Sequence, residues 1–324
     1  MKLLTYFSPS GDAYRNLAMD EYFLTHLPSD THMLYFYIND SAVIIGRNQN
    51  AFAECSTEVM KTENVQLVRR ITGGGAVCHD SGNLNFSFLS PEELYDTDEQ
   101  DEILLTALRK LGIPAEKNGR NDLTAAGKKF SGNAFGAKRG NRLRHGTLLV
   151  SSDLAGMERY LTVSAKKLRA KGVRSVRSRV CNLCEFRPGL TTSAVSEAIR
   201  AAWEARYSMA AEEIVLSPAQ ESEISRLREE RASFDWVMGE APSFDFTVED
   251  RFSFGMAQLC ISVEDGKISR AALYTDALDT GLSDRLPSLL TGIVFSPEAI
   301  RRALEQTGSP EFAELAAAAA ENLK

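Results

Sequence analysis

Three consecutive glycines, Gly73–Gly75, stand between two short β-rich runs and limit what this chain can fold into. The run before them, VQLVRR at 65–70, ends in two arginines, and residues 76–78 begin a second strand. Glycine tolerates positive φ and lets backbone N–H groups approach a ligand that a Cβ would hold off. A planar guanidinium pairs with a carboxylate or phosphate through two hydrogen bonds. We therefore expect the glycines to join two paired strands and the stretch to bind a small anion.

A plainer interpretation is a hairpin with a flexible Gly-rich turn and solvated arginines, because short motifs often occur by chance. Other nucleotide-binding motifs fit less well. The sequence has no GxxxxGK[ST], and the glycines precede a strand instead of opening a helix. Residues 83–88 alternate polar and apolar side chains, which predicts a further strand with one buried face.

Composition excludes several classes of protein. The chain has 324 residues, 44% hydrophobic and 25% charged, which favours a globular protein with one large and one small domain. A net charge of −7 and a pI near 5.4 argue against nucleic-acid binding. No apolar run reaches the roughly 18 residues that span a bilayer, and the first apolar stretch is too short for a signal peptide. We expect a cytoplasmic protein that does not bind membranes.

The five cysteines are odd in number and scattered, which favours a reducing compartment without a disulfide framework. Cys181 and Cys184 form a CxxC pair, but no second pair completes a zinc site, so buried structural thiols are the simpler interpretation. The segment from Lys166 to Arg179 contains seven basic residues and no acidic one. It is either a solvated helix and loop or a basic loop that folds over a triphosphate.

Hydrophobic periodicity predicts an α/β body followed by a small α+β unit. A helix capped by Asp12 should run to about Leu27, and a hairpin should join residues 33–38 to 42–45. Helices are also predicted over 54–63, 99–111 and 192–207. The pattern breaks between 236 and 244, which divides the chain into domains 1–244 and 245–324. Beyond the break, Asp265-Gly266 predicts a hairpin turn between short strands.

Five motifs in order carry a resemblance to a known family. They are RRITGGGAVCHDSGNLNFSF (69–88), GRNDL (119–123), KKFSGNAF (128–135), HGTLL (145–149) and KKLRAKGVRSVRSRVCNL (166–183). Together they resemble the lipoate-protein ligase A family over nearly the whole chain. The resemblance implies an α/β (α+β) fold, with a mixed-sheet, biotin/lipoate ligase-like catalytic domain and a small α+β C-terminal accessory domain.

The resemblance also implies a reaction. Lipoate would be activated by ATP with Mg²⁺ to lipoyl-AMP, pyrophosphate would leave, and the lipoyl group would pass to a lysine of a carrier. The implied carriers are lipoyl domains of 2-oxoacid dehydrogenase E2 subunits and the glycine-cleavage H protein.

The chemistry of activation points to Lys129. A free carboxylate is anionic and lacks a leaving group, and a cation placed between it and the α-phosphate lowers the barrier to their reaction. In the resembled family, the lysine at this position contacts both lipoate and phosphate, whereas an isolated lysine pair is usually a solvated turn. Isoleucine at 71 replaces a basic residue of some relatives, so a nucleotide contact there would come from the backbone.

The resemblance implies two sets of site residues. Lipoate would contact Arg70, Thr72, Gly73, Gly74, Gly75, His79, Lys129 and His145. ATP or the adenylate would contact Ile71, Gly75, Ala76, Val77, Cys78, His79, Asn121, Asp122, Lys129, Lys166 and Arg177. Asp122 is the candidate Mg²⁺ ligand. His79 and His145 could equally be structural, with His79-Asp80 ordering the Gly-rich loop.

Other activities of the same fold would require different sequence motifs. Octanoyl or lipoyl transferases use a cysteine nucleophile near the lysine, and no cysteine lies between Cys78 and Cys181, although Cys181 or Cys184 could move in. Biotin ligases carry a GRGRxGR-type loop, which is absent. A lipoyl-binding protein without chemistry is disfavoured by the presence of Lys129 and Asp122.

Overall fold

The structure, a computed structural model, describes residues 1–118, 122–161, 180–238 and 244–322. The strands of this part of the chain form one eight-stranded sheet and two three-stranded sheets. The strands are β1 (Lys2–Phe7), β2 (Thr31–Tyr37), β3 (Ala42–Ile45), β4 (Gln66–Arg69), β5 (Val77–His79), β6 (Asn83–Pro91), β7 (Ala115–Asn118), β8 (Asp122–Ala125), β9 (Lys128–Lys138), β10 (Asn141–Leu149), β11 (Glu212–Glu213), β12 (Phe246–Phe252), β13 (Gly255–Glu264) and β14 (Lys267–Thr275).

The described helices lie on both sides of the large sheet and in the C-terminal unit. They are α1 (Ala13–His26), α2 (Ala51–Glu54), α3 (Thr57–Thr62), α4 (Thr97–Lys110), α5 (Thr192–Tyr207), α6 (Pro218–Ala232), α7 (Phe234–Val237), α8 (Gly281–Leu290), α9 (Pro297–Glu305) and α10 (Pro310–Asn322). None of these helices combines the length and the apolar composition that crossing a membrane requires.

The eight-stranded sheet has the order β11-β1-β2-β6-β10-β9-β8-β7 and is mixed. β1 pairs in parallel with β2 and β11, whereas the other neighbours are antiparallel. Every residue of β2 and β6 is buried, because α4 and α5 pack on one face while α1 and the β4-β3-β5 sheet cover the other. The predicted α/β fold with a mixed sheet is confirmed.

Two predicted strand pairings are wrong. β4 and β5 flank the glycines but do not pair with each other, because β3 lies between them in the order β4-β3-β5. The predicted hairpin of β2 and β3 is also absent, since these strands belong to different sheets. Asn39 does not form a hairpin turn between them. It is fully buried and hydrogen-bonds to Asn16 and His79.

Local capping explains where several helices begin. The Asp12 side chain accepts the Tyr14 N–H at 3.0 Å, so α1 starts where its sequence predicts. Ser217 and Gln220 form a capping box at α6. The single helix predicted over 54–63 is instead split into α2 and α3, because Cys55 is extended and forms a bridge with Leu161.

The C-terminal unit contains its own core, made by one face of the β12–β14 sheet and by α8, α9 and α10. Asp265 and Gly266 both have positive φ, 50° and 74°, as a tight hairpin turn requires. The end of β14 and the segment after it contact the loop that follows β3: Thr275 N–H donates to Asn48 O at 2.8 Å, and Asn48 Nδ2 donates to Thr280 O at 3.0 Å. The division at residue 244 stays a prediction.

Candidate functional site

A cavity of about 510 Å³ lies between the eight-stranded sheet, the Gly-rich loop and the C-terminal unit. Part of its lining is one row of residues across four neighbouring strands. Tyr37 on β2 faces Asn85 on β6, which faces Thr147 on β10, and Gly132 N–H on β9 donates to Thr147 Oγ1 at 3.3 Å. Three strand spacings of about 4.8 Å give a row of roughly 14 Å. The row is long enough to hold an extended acyl chain.

At the β9 end of this row, Lys129 Nζ forms an ion pair of 2.7 Å with Asp122 Oδ1. The ammonium lies against Gly132, since a Cβ built on that glycine would be only 3.0 Å from Nζ. The Lys129 and Asp122 side chains are 38% and 35% exposed. The charge of Lys129 therefore stays accessible to a substrate, and both residues border the cavity.

Arg70 borders the cavity, but its guanidinium donates mainly to backbone carbonyls of the Gly-rich loop. Nε and Nη2 donate to Gly73 O at 3.1 and 2.7 Å, Nη2 also donates to Gly75 O at 2.8 Å, and Nη1 donates to Ile44 O at 3.2 Å. Burial lowers the pKa of Arg70 to about 10, still well above neutral pH. These hydrogen bonds fix the shape of the glycine loop, and they leave Arg70 little donor capacity for the expected bidentate anion contact.

Arg69 does not bind an anion in this arrangement and lies outside the cavity lining that the described residues form. Its guanidinium donates to the backbone carbonyls of Gly46, Arg47 and Gln49, which follow β3, and to those of Trp236 and Val237 at the end of α7. In this structure the guanidinium of Arg69 therefore bonds to the backbone, and only Arg70 of the two arginines borders the cavity.

The Gly-rich loop also contacts the C-terminal unit directly. Gly74 N–H donates to Ala277 O at 3.1 Å, and Gly74 has a φ of +92° that favours glycine. A Cβ on Gly73 would lie 2.2 Å from Ala277 O. Gly74, Gly75, Ala76 and Val77 line the cavity, whereas Gly73 makes room for the C-terminal segment.

His145 belongs to a buried hydrogen-bond chain. Its Nδ1 lies 2.8 Å from Asp20 Oδ2, and its Nε2 lies 2.7 Å from Thr72 Oγ1. Ser87 and Tyr37 also donate to Asp20. The connectivity resembles that of a nucleophile, base and acid, but Thr72 is fully buried and cannot meet a substrate. These hydrogen bonds fix the orientation of the His145 ring, which borders the cavity.

His79 is buried, with Nδ1 2.9 Å from Asn39 Nδ2, and it borders the cavity. Burial, with further effects of Arg70 and His145, lowers the pKa of His79 to about 3. The ring is therefore neutral at physiological pH.

The thiols of the described residues are poorly suited to nucleophilic chemistry. All five cysteines are free. Burial raises the pKa of Cys78 to about 12 and that of Cys181 to about 11. Cys181 is fully buried with Sγ 3.6 Å from Lys128 O, which agrees with a structural role, whereas Cys184 is only partly buried.

Some predicted residues fall outside this site. Ile71, Thr72 and Cys78 do not belong to the cavity lining formed by the described residues. Asn121, Lys166 and Arg177 lie outside the described residues. The lining also includes residues that the motifs did not predict: Tyr37, Asn85 and Asn133, together with Arg251 and Asp276–Asp279 of the C-terminal unit. The polar residues at positions 83, 85 and 87 could have indicated that this strand borders the site, because polar side chains on a strand that is buried on both faces need hydrogen-bond partners.

Comparisons with known families and structures agree with this architecture. Residues 12–204 match the lipoyl protein ligase A/B catalytic domain, and residues 241–323 match the bacterial lipoate protein ligase C-terminus.

Solved relatives include LipL1 from P. falciparum in complex with lipoate, with 26% identity over 98% of this chain and 99% of that one and a TM-score of 0.84. A bipartite lipoate protein ligase from T. acidophilum, studied with its E2 lipoyl domain, shows 31% identity over 76% of this chain and 98% of that one, with a TM-score of 0.65. A lipoate-protein ligase A bound with ATP shows 30% identity over 74% of this chain and 98% of that one, with a TM-score of 0.64. With both parts of the chain matched, this protein belongs to the lipoate-protein ligase family and carries the bacterial type of C-terminal domain.

Proposed function

We propose that this protein is an ATP-dependent lipoate-protein ligase that forms lipoyl-AMP and transfers its lipoyl group to a lysine of a carrier domain. The observation that carries the proposal is the Lys129 ammonium, paired with Asp122 at 2.7 Å and exposed at one end of a cavity that can hold an acyl chain. Relatives in complex with lipoate or bound with ATP, and a relative studied alongside its E2 lipoyl domain, support it.

In the first step a lipoate carboxylate oxygen attacks the α-phosphorus of ATP, the bond to the β-phosphate oxygen breaks, and pyrophosphate leaves. Both reacting groups are anions, so their approach is opposed electrostatically. Lys129 lies where it can exchange Asp122 for these anions and stabilise the charge that develops between them. Gly74, Gly75 and Ala76 form the wall that faces the nucleotide, and Arg70 holds that wall in shape.

Mg²⁺ is proposed to enter with ATP. No group of three or more His, Cys, Asp or Glu side chains suited to a metal occurs among the described residues. Mg²⁺ commonly takes one or two carboxylates together with substrate phosphates and water, so the single carboxylate of Asp122 fits such a shared site. Mg²⁺ bound there would neutralise phosphate charge.

In the second step a carrier lysine attacks the acyl carbonyl and AMP leaves. That amine has an ordinary pKa near 10.4 and must lose a proton before it reacts. We propose lipoyl domains of 2-oxoacid dehydrogenase E2 subunits and the glycine-cleavage H protein as carriers. The lipoyl chain would lie along the row from Gly132 to Tyr37, passing His145 on β10 and ending beside His79.

The proposal is tested by pyrophosphate release from ATP with and without lipoate, with lipoyl-AMP identified by mass spectrometry. We expect release that depends on lipoate. Release that is the same without lipoate would refute the proposal. A transferase that moves acyl groups between carriers would instead work without ATP, and the high pKa values of the buried Cys78 and Cys181 thiols disfavour it.

A further inference from the structure

A buried chain of side chains determines which nitrogen of His79 carries a proton. Ser8 Oγ donates to Asn16 Oδ1 at 2.6 Å, and Asn16 Nδ2 donates both to Ser10 O and to Asn39 Oδ1 at 2.8 Å. Asn39 therefore presents its Nδ2 to His79 Nδ1, 2.9 Å away. Because Nδ1 accepts this hydrogen bond, the proton of the neutral ring is on Nε2.

The ring is neutral near pH 7, since burial lowers the pKa of His79 to about 3. His79 is 5% exposed, and its Nε2 has no hydrogen-bond partner among the described residues. Buried donors are nearly always paired, so an unpaired one calls for an explanation. A bound molecule that supplies an acceptor is one such explanation.

The two sides of the His79 ring have different surroundings. His79 belongs to the cavity lining, whereas Asn39, which contacts the Nδ1 side, does not. The opposite side of an imidazole is the edge made by Cδ2 and Nε2. A ligand that fills the cavity therefore meets the side of His79 that carries the free donor.

The position of His79 indicates which part of the acid it meets. Lys129 lies over Gly132 at the β9 end of the row, whereas His79 bonds to Asn39, just beyond β2 at the other end. A lipoate whose carboxylate meets Lys129 thus extends across the row towards Tyr37 and His79. At that end of lipoate, the two dithiolane sulfurs are the only atoms that can accept a hydrogen bond.

We propose that His79 is a specificity-determining residue whose Nε2–H donates to a dithiolane sulfur and thereby favours lipoate over sulfur-free octanoate. This inference rests on the proposed function. A buried donor that binds a substrate atom discriminates against an analogue without that atom, because the donor then stays unpaired. Sulfur is a weak acceptor, so the discrimination comes mainly from the penalty imposed on octanoate.

The test compares kcat/KM for adenylate formation from lipoate and from octanoate in the full-length protein. We expect wild type to prefer lipoate by about tenfold or more, and His79→Phe to reduce that ratio by about tenfold. His79→Gln should keep most of the preference, because its amide can again place an N–H towards the cavity. The ratio of the two kcat/KM values does not depend on how much of a variant is folded, because both values are measured on the same preparation.

His32→Phe is the matched control, since His32 is also buried but packs on Tyr207 outside the cavity lining. It should leave the ratio unchanged. A ratio in His79→Phe within about twofold of wild type would overturn the inference. So would equal use of the two acids by wild type, or the same change of ratio in His32→Phe.

Calorimetric binding of lipoate and octanoate without ATP separates this inference from the proposed function. A wild type that makes no adenylate refutes the ligase proposal, whereas the binding preference still decides the role of His79. Preferential lipoate binding that His79→Phe abolishes supports the inference. Equal binding of both acids by wild type and by the variant overturns it.

Discussion

The substitution Lys129→Ala tests whether the charge of Lys129 contributes to adenylation much more than it contributes to stability. The ion pair of Lys129 with Asp122 has both side chains more than a third exposed. Such pairs contribute only about 0.2–1 kcal/mol, since solvent screens them and their side chains lose rotamer freedom. We expect the free energy of unfolding to fall by no more than this. Asp122 loses its partner but keeps access to water, so no uncompensated charge is buried.

The effect on adenylation should be far larger. A fixed charge directed at developing transition-state charge typically contributes about 10²–10³ in rate. Among the basic side chains that the described residues bring to the cavity, Arg70 donates to backbone carbonyls and Arg251 belongs to the C-terminal wall. Neither can move to the position of Nζ, so the loss in Lys129→Ala should approach the upper part of that range.

The assay measures lipoate-dependent pyrophosphate release at saturating ATP. Urea unfolding of the same preparations measures the free energy of unfolding. Lys128→Ala is the matched control, because Lys128 is the preceding residue of β9 with an exposed side chain that does not border the cavity. It should retain full activity. If Lys129→Ala releases pyrophosphate within about tenfold of wild type, the assignment of Lys129 is wrong.

Three further predictions follow from the same geometry. Gly132→Ala places a Cβ 3.0 Å from Lys129 Nζ, and since the ammonium ends a flexible side chain, we expect adenylation to fall by about tenfold with little change in Tm. The pKa of His79 is about 3 in the folded protein and 6.5 for an unperturbed histidine, so as the pH falls the unfolded chain is protonated before the folded protein. Stability should decrease as pH falls from 6.5 towards about 3, by up to about 1.4 kcal/mol per pH unit, and urea unfolding of His79→Gln should show a weaker dependence. Residues 1–244 alone should lipoylate apo H protein from supplied lipoyl-AMP but adenylate poorly without the wall at Ala277, and an equal loss of both reactions, measured by mass, would contradict this division of labour.

Much of the local structure could be predicted because its determinants are adjacent in the sequence. Asp12 caps α1, Ser217 opens α6, and Asp265-Gly266 adopts the positive φ angles of a tight turn. Each feature depends on side-chain to backbone bonds or backbone preferences within a few residues. The position of Lys129 beside Gly132 of the same motif is similarly local, whereas its catalytic role stays a prediction.

Pairing over longer distances could not be predicted from such signals. β3 inserts between β4 and β5, although the glycine loop joins β4 to β5 in sequence. Periodicity shows that a run is a strand but does not identify its partner. The C-terminal wall was missed for the same reason, because the contact of Gly74 with Ala277 joins residues that are distant in the chain.

The two arginines show why charge beside a glycine run is an ambiguous signal for an anion site. Irregular loops leave carbonyl groups without secondary-structure partners, and a buried guanidinium can satisfy several of them at once. Arg69 does this for the loop after β3 and the end of α7, and Arg70 does it for the glycine loop beside the cavity. Lys129 differs because its single ammonium is on a flexible stem, partly exposed and paired with one carboxylate. A charge that must follow a reacting carboxylate and phosphate needs that freedom, so we propose that Arg70 shapes the site and that Lys129 acts in it.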